Sequence, residues 1–441
     1  MRRPPHRGRV RPGGAVMRAI VLRTALALAA ALGGSWSAGA GLAEGSGIAR
    51  PPPVTEADYA PVDPAAAALG QLLFYDPILS GNRGVACASC HHPAFGTSDG
   101  LSLGLGDGAS GLGPARAADP GNLPEQRIPR NSPALFNLGA REFTVLFHDG
   151  RIEVDPDRPS GIRTPMGAEM EAGFDSLLSA QTMFPVLSPD EMAGHYSENE
   201  ISRAVRQGLI TGPGGAWDLL ARRVAAVPGY AAQFEAVYGR TPEEIGFTDI
   251  SNAIAAFVAW EWRSDSAPFD AWLRGEADLS EAAARGAALF YGTAGCAECH
   301  SGPFLTDHGF HAMGDVQLGP GKAARFERHA RDLGRMRVTG QAAEAFAFRT
   351  PSLRNVAETG PYGHAGAYRD LAAYLRHHAD PVAGLADYDR GQAVLPALAV
   401  EDWRVLEAPQ ERTAISGAVR RAPVALTTTQ VSDLVAFLES L

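Results

Sequence analysis

Lysine is nearly missing from this chain: Lys322 stands alone, although arginine is plentiful. Cysteine is scarce too, at four in 441 residues, too few to staple a fold of this size through disulfides. No run of like charge suggests a nucleic-acid-binding arm. The balance is acidic, net −10, which favours a basic partner surface without naming one. Nor is there an apolar stretch of the ~18 residues that a membrane span needs; the run from Ala25 to Leu32 is short. Strand-type alternation is sparse. What is left is a soluble, all-α chain, long enough for two cored domains.

Where the cysteines fall decides more than how few there are. They form Cys87-Ala88-Ser89-Cys90-His91 and Cys296-Ala297-Glu298-Cys299-His300. CxxCH is the attachment pattern of a c-type haem: the thiols close thioethers onto the porphyrin vinyls, and the next His is the proximal iron ligand. One copy could equally be half a zinc site, a dithiol redox pair or a structural disulfide. Two copies that use every cysteine, in a chain with an export leader, point to two covalent haems.

The leader is residues 1–43. Arginines from Arg2 to Arg23 precede the apolar run, and Ala38-Gly39-Ala40 offers a small-residue cleavage site. The expectation is a signal peptide for the Sec route to the periplasm, leaving no membrane span after cleavage; the alternative is an uncleaved anchor. A Pro-rich linker, 44–64, follows. The first haem domain is expected at 65–265 and the second at 266–441. Helical spacing marks 65–74, 198–209, 217–227, 250–262, 280–291 and 429–441. Gly70-x-x-Leu73-Phe74-Tyr75 returns as Gly286-x-x-Leu289-Phe290-Tyr291 just before the second CxxCH, an internal repeat that implies two related domains. Residues 93–130 are Gly- and Pro-rich, a long loop over the first haem, and such loops are usually functional.

Several further motifs resemble the bacterial diheme cytochrome c peroxidase family, which includes the MauG branch. They are Leu73-Phe74-Tyr75-Asp76-Pro77, Arg130-Asn131-Ser132-Pro133, Asp149-Gly150-Arg151, Ser188-Pro189-x-Glu191-Met192, Pro268-Phe269-Asp270, Thr350-Pro351-Ser352-Leu353-Arg354-Asn355 and Pro361-Tyr362-x-His364. The likeness runs from about residue 65 to the end, with an apparent insertion at 382–425. It implies a peroxidase acting on hydrogen peroxide, with a catalytic haem at Cys87, Cys90 and His91. An electron-relay haem at Cys296, Cys299 and His300 goes with it.

The same resemblance implies roles for other residues. Glu191 matches the family's distal glutamate, with Gln181 beside it and Pro185 above the iron; read alone, Glu191 could be a helix N-terminal acid. The family's distal ligand to the second iron falls on His378, where peroxidases carry Met and the MauG branch Tyr. His377, Met313 and Met336 are the rivals. Calcium between the haems would use Asn131, Thr359 and Pro361. No His, Met, Cys, Lys or Tyr occurs between Pro93 and Phe147, so the loop that closes the first iron in some relatives has no strong ligand here, and that iron is expected to be open. His148 stands where the family places an inter-haem Trp, as a proton relay or a hydrogen-bond partner. His195, His308 and His329 are expected in solvated loops. Trp217, Trp260 and Trp272 are expected in the core, and Trp262 and Trp403 at the surface.

The expected function is peroxide-driven oxidation of a partner protein. One alternative is peroxide detoxification with electrons from a small cytochrome or cupredoxin. A pure electron-transfer cytochrome is the other.

Overall fold

The computed structural model describes residues 50–323, 327 and 329–441, so the expected signal peptide lies outside the described residues. Helices dominate. Among the described residues seven strands, two or three residues long, form three small antiparallel sheets. Strands so short leave no period-two pattern to read, which is why the all-α expectation misses them. Among the described residues no helix is long and apolar enough to cross a membrane.

The expected helices form at Pro64–Tyr75, Glu200–Arg206, Ala216–Ala225, Phe247–Glu261, Glu281–Phe290 and Thr428–Leu438. Pro228–Tyr238 is an addition to them. The first begins where Asp63 accepts the Ala65 N–H at 2.9 Å and proline takes the first helical position, both favourable at an N-terminus. It crosses Phe247–Glu261 at Gly70, where a Cβ would lie 1.8 Å from the Ala253 carbonyl oxygen. In the second half Glu281–Phe290 crosses Thr428–Leu438 at Gly286, where a Cβ would lie 2.0 Å from Asp433 O.

The aromatic pairs repeat with the glycines. Phe74 and Tyr75 meet Phe257 at 5.2 and 6.1 Å between ring centroids. Phe290 and Tyr291 meet Phe437 at 5.0 and 6.0 Å. The repeated sequence is therefore repeated packing: glycine admits the second helix, and the two rings lock over it. Each crossing delivers the chain to a CxxCH.

Two apolar clusters form, and they interlock. Leu103, from the Gly-rich loop, belongs to the second cluster, and Phe304 to the first, where it meets Tyr59 and Phe143 at 6.0 and 5.6 Å. The segment 382–425 folds onto the same loop. Ser102 N–H donates to Val394 O at 2.9 Å, and the Val394 N–H to Ser102 Oγ at 2.8 Å. Arg127 forks onto the Asp402 carboxylate at 2.7 and 2.9 Å.

A second buried guanidinium ties the halves together. Arg130 meets Asp149 at 2.7 Å and Asp332 at 2.6 Å. Asp149 lies in the turn between Val145–Leu146 and Ile152–Val154. Gly150 there has φ +64°, and a Cβ would strike the Phe310 ring at 2.3 Å, so this turn requires glycine.

Two tryptophans exchange their expected places. Trp260 is 54% exposed, while Trp262 is buried because the helix stops at Glu261 and the next residue folds under Phe74 and Phe257, 5.0 Å from each ring. His308 is not in a solvated loop either: it meets Glu142 at 3.1 Å and packs on Phe143.

Two candidate haem sites and the residues between them

Each CxxCH opens as a single turn, Cys87–Ser89 and Cys296–Glu298, against a cavity. All four cysteines are free, as thioether formation needs. His91 Nδ1 lies 3.0 Å from Thr97 O and 3.2 Å from Ser132 Oγ. The Nδ1–H therefore donates to the carbonyl, and Nε2 keeps its lone pair for a metal. Ser132 also donates to Cys90 O at 2.6 Å, so the Asn131-Ser132-Pro133 motif braces the attachment turn.

The second site repeats the device. His300 Nδ1 lies 3.1 Å from Leu305 O, Ser352 Oγ donates to Phe304 O at 2.7 Å, and Arg354 Nε to Pro303 O at 2.8 Å. Thr97 and Leu305, whose carbonyls accept from the two imidazoles, share the left-handed backbone at φ +61° and +55°. Burial lowers both proximal imidazoles, His300 to about 4, so they are neutral and able to ligate. Free thiols, oriented neutral imidazoles and largely apolar walls fit c-type haem at both places.

The first cavity has a volume of about 160 Å³ and the second about 280 Å³. Gln181, Pro185 and Glu191 line the first. Gln181 lies in the last turn of the helix Leu177–Thr182, which Ser176 caps, and its Oε1 is buried without a hydrogen-bond partner. Glu191 sits in a single π-type turn, Pro189–Ala193, a geometry frequent at functional sites. Burial raises its carboxyl above the ordinary value, while Lys322 and Arg151 pull it back.

His378 lines the second cavity with Cys296, Cys299, His300 and Met313. Burial takes it down to about 3, so it too is a neutral imidazole. Its neighbour His377 turns the other way, 3.7 Å from Asp315, into space that Gly384 leaves free; a Cβ there would lie 2.5 Å from His377 Nδ1. Asp315 stays well below the usual carboxylate range despite its burial, because His364 and His377 face it. Met336 does not line this cavity.

With this geometry in view, the comparisons are specific. The family described as di-haem cytochrome c peroxidase matches residues 64–278. The methylamine utilization protein MauG of Methylorubrum extorquens is 32% identical over 395 residues, 89% of this chain and 82% of that protein. The chain belongs to the di-haem cytochrome c peroxidase family.

As a family member it is a peroxidase by class, and two c-type haems follow from membership. Cytochrome c551 peroxidase of Nitrosomonas europaea is 28% identical over 306 residues, 69% of this chain and 70% of that protein. Among solved structures, a MauG-like protein associated with microbial copper homeostasis aligns at TM-score 0.55 with 25% identity, covering 89% of this chain and 92% of that one. The diheme peroxidase BthA of Burkholderia thailandensis shares the fold at TM-score 0.58 and 23% identity, with 86% of each chain covered.

Between the peroxidase's two sites stands His148, which lines both cavities. Its Nε2–H donates to Asn131 O at 3.1 Å. Burial and the Arg130 guanidinium hold it down at about 3. The ring is thus a neutral hydrogen-bond donor rather than an imidazolium. Asn131, Thr359 and Pro361 line one cavity; Asn131 spends its amide N–H on Leu101 O at 2.7 Å, which leaves its carbonyl oxygen as the atom able to ligate. Among the described residues, the one close trio of His, Cys, Asp or Glu ligands is Cys299, Asp307 and His311. Cys299 there is the thioether cysteine, and His311 already meets Asp307 at 2.9 Å.

Three site residues escape sequence reasoning. Asp99 lines the first cavity, its burial pushing it up to about 7. Arg349 is half-buried at the second, donating to Phe147 O and Thr350 O. Lys322 reaches the first cavity from the other half of the chain; being the sole lysine was its only signal.

Proposed function

We propose that this chain is an exported, periplasmic peroxidase of the MauG-like kind. Hydrogen peroxide reacts at an open first haem, His378 closes the second, and the second relays electrons from a partner protein whose aromatic side chains are oxidised. One observation carries the reading: the two cavities keep unlike company. His378 shares the second with His300. In the first, the imidazole other than His91 is His148, which lines both cavities and donates its Nε2–H to Asn131 O. Met192 also lines it but is part of the apolar core.

Haem bound there would supply the electrophilic seat for peroxide oxygen and a store for its oxidising power. The protein's residues move the proton. Glu191, its carboxyl raised by burial, can take and return a proton. With haem in place, Glu191 would accept the proton of one peroxide oxygen and return it to the other, which would leave as water. Two electrons and two protons per peroxide give two waters, the electrons coming from the partner. Gln181 Oε1 accepts a hydrogen bond from the bound peroxide. Calcium belongs to the same reading; Asn131 Oδ1 and the Thr359 and Pro361 carbonyls are the oxygens that would hold it.

A detoxifying peroxidase with a small cytochrome or cupredoxin as donor is the second reading, favoured by the likeness to the Nitrosomonas enzyme. Electron paramagnetic resonance of the ferric protein as purified tests the open site: one high-spin and one low-spin haem are expected, and two low-spin signals would refute it. Peroxide turnover with a candidate partner protein against turnover with a reduced cytochrome separates the two donors.

A further inference from the structure

The first cavity contains one cation that nothing in the catalytic reading uses. Arg130 there is matched by Asp149 and Asp332, and Arg151 by Asp149 at 3.1 Å. Lys322 lines the same wall and forms no ion pair among the described residues. Its ammonium feels Glu191 and Asp149 as attractive charges and Arg151 and Arg130 as repulsive ones, and burial with the arginines lowers it from the ordinary lysine value.

The backbone that presents Lys322 is held from three directions. Gly319 and Gly321 both have φ +65°. A Cβ on Gly319 would lie 2.4 Å from Leu103 of the loop over the first haem, and one on Gly321 would lie 1.9 Å from Ala330 O. The Gly319 N–H donates to Asp402 O at 2.9 Å, and the Asp402 side chain is the one forked by Arg127. Segment 382–425 and the first-haem loop together fix where the lysine enters. A lysine serving only solubility needs no such seat.

We propose that Lys322 is an anion-binding residue of the first site, recognising small monoanions at the iron: hydroperoxide in turnover, azide or fluoride as probes. This rests on the open first haem proposed above. A charge-assisted contact in a water-poor cavity strengthens an anion and leaves a neutral ligand indifferent. A haem propionate offers the same anionic oxygen, but Lys322 lines the same cavity as Glu191, the proton-moving carboxyl.

The test is titration of the full diheme ferric protein with fluoride, azide and, as a neutral control, imidazole, for wild type, Lys322→Met and Lys322→Arg, with matched Soret circular dichroism. Lys322→Met is expected to weaken fluoride and azide about tenfold or more and leave imidazole unchanged, and Lys322→Arg to recover most of the loss. Equal anion affinities in wild type and both variants would overturn the proposal. So would a shifted haem potential with unchanged anion affinity, which marks a propionate partner. A low-spin first haem that turns high-spin only in Lys322→Met would also overturn it, by making Lys322 an iron ligand. Wild-type protein that binds neither anion, or whose first haem is held low-spin by Lys322, would sink the open-site reading as well; the other outcomes leave that reading standing.

Discussion

Arg130→Met removes a guanidinium that two buried carboxylates share. Arg130, Asp149 and Asp332 are 6%, 3% and 1% exposed. Arg130 reaches Asp332 through two parallel hydrogen bonds, 2.6 and 2.9 Å. Stripping one partner from a buried pair costs about 3–5 kcal/mol because the remaining charge has no counter-ion. Here two charges are stranded, with Arg151 in contact with only one of them, so the upper end of that range is expected at pH 7. Acid should narrow the gap. Despite burial, Arg130 and Arg151 hold Asp149 at about 2, below the ~3.9 of an unfolded aspartate. Its contribution is therefore complete above about pH 4 and lost as pH falls toward 2. In the variant the carboxylates, buried without their cation, take up protons at higher pH and the penalty relaxes. Urea unfolding followed by Soret absorbance at pH 7 and pH 4 measures both. A deficit under about 1 kcal/mol at pH 7, or one unchanged at pH 4, would refute the reasoning.

Glu191→Gln should slow peroxide consumption by about 10²–10⁴-fold while azide still binds. It should also abolish an acid limb that, since burial raises the carboxyl, lies above pH 4.5; rapid-mixing kinetics across pH decides. His378→Ala should turn the second haem from low spin to high spin, whereas His377→Ala, facing Asp315, should leave it low-spin; the reverse pattern would exchange their roles. Gly286→Ala places a Cβ 2.0 Å from Asp433 O. Helix backbone must shift to admit it, so a loss of about 3 kcal/mol or more is expected, and unchanged thermal melting would contradict the crossing.

Local chemistry was legible in the sequence, and juxtaposition was not. The Gly70 and Gly286 repeat could be read because two helices that cross at a glycine need the same residues twice. CxxCH could be read because thioether attachment fixes its own spacing. The near-identity of His377 and His378 in sequence hid their opposite surroundings, which Asp315 and Gly384 create from elsewhere in the chain. Lys322 and Asp402 carried no pattern, since their significance comes from a loop and a late segment meeting over the first cavity. The tryptophans misled for a related reason. Helical phase predicts which way a residue points only while the helix continues, and it ends between Trp260 and Trp262.

The exchange of Leu103 and Phe304 between the cores makes neither half a detachable cassette. A fragment cut at residue 265 would carry a hole where Phe304 fits beside Tyr59 and Phe143, and would leave Leu103 bare in water. Grafting one electron-carrying module onto another scaffold must therefore take both plugs along. Swapping single residues at either iron leaves that mutual embrace untouched.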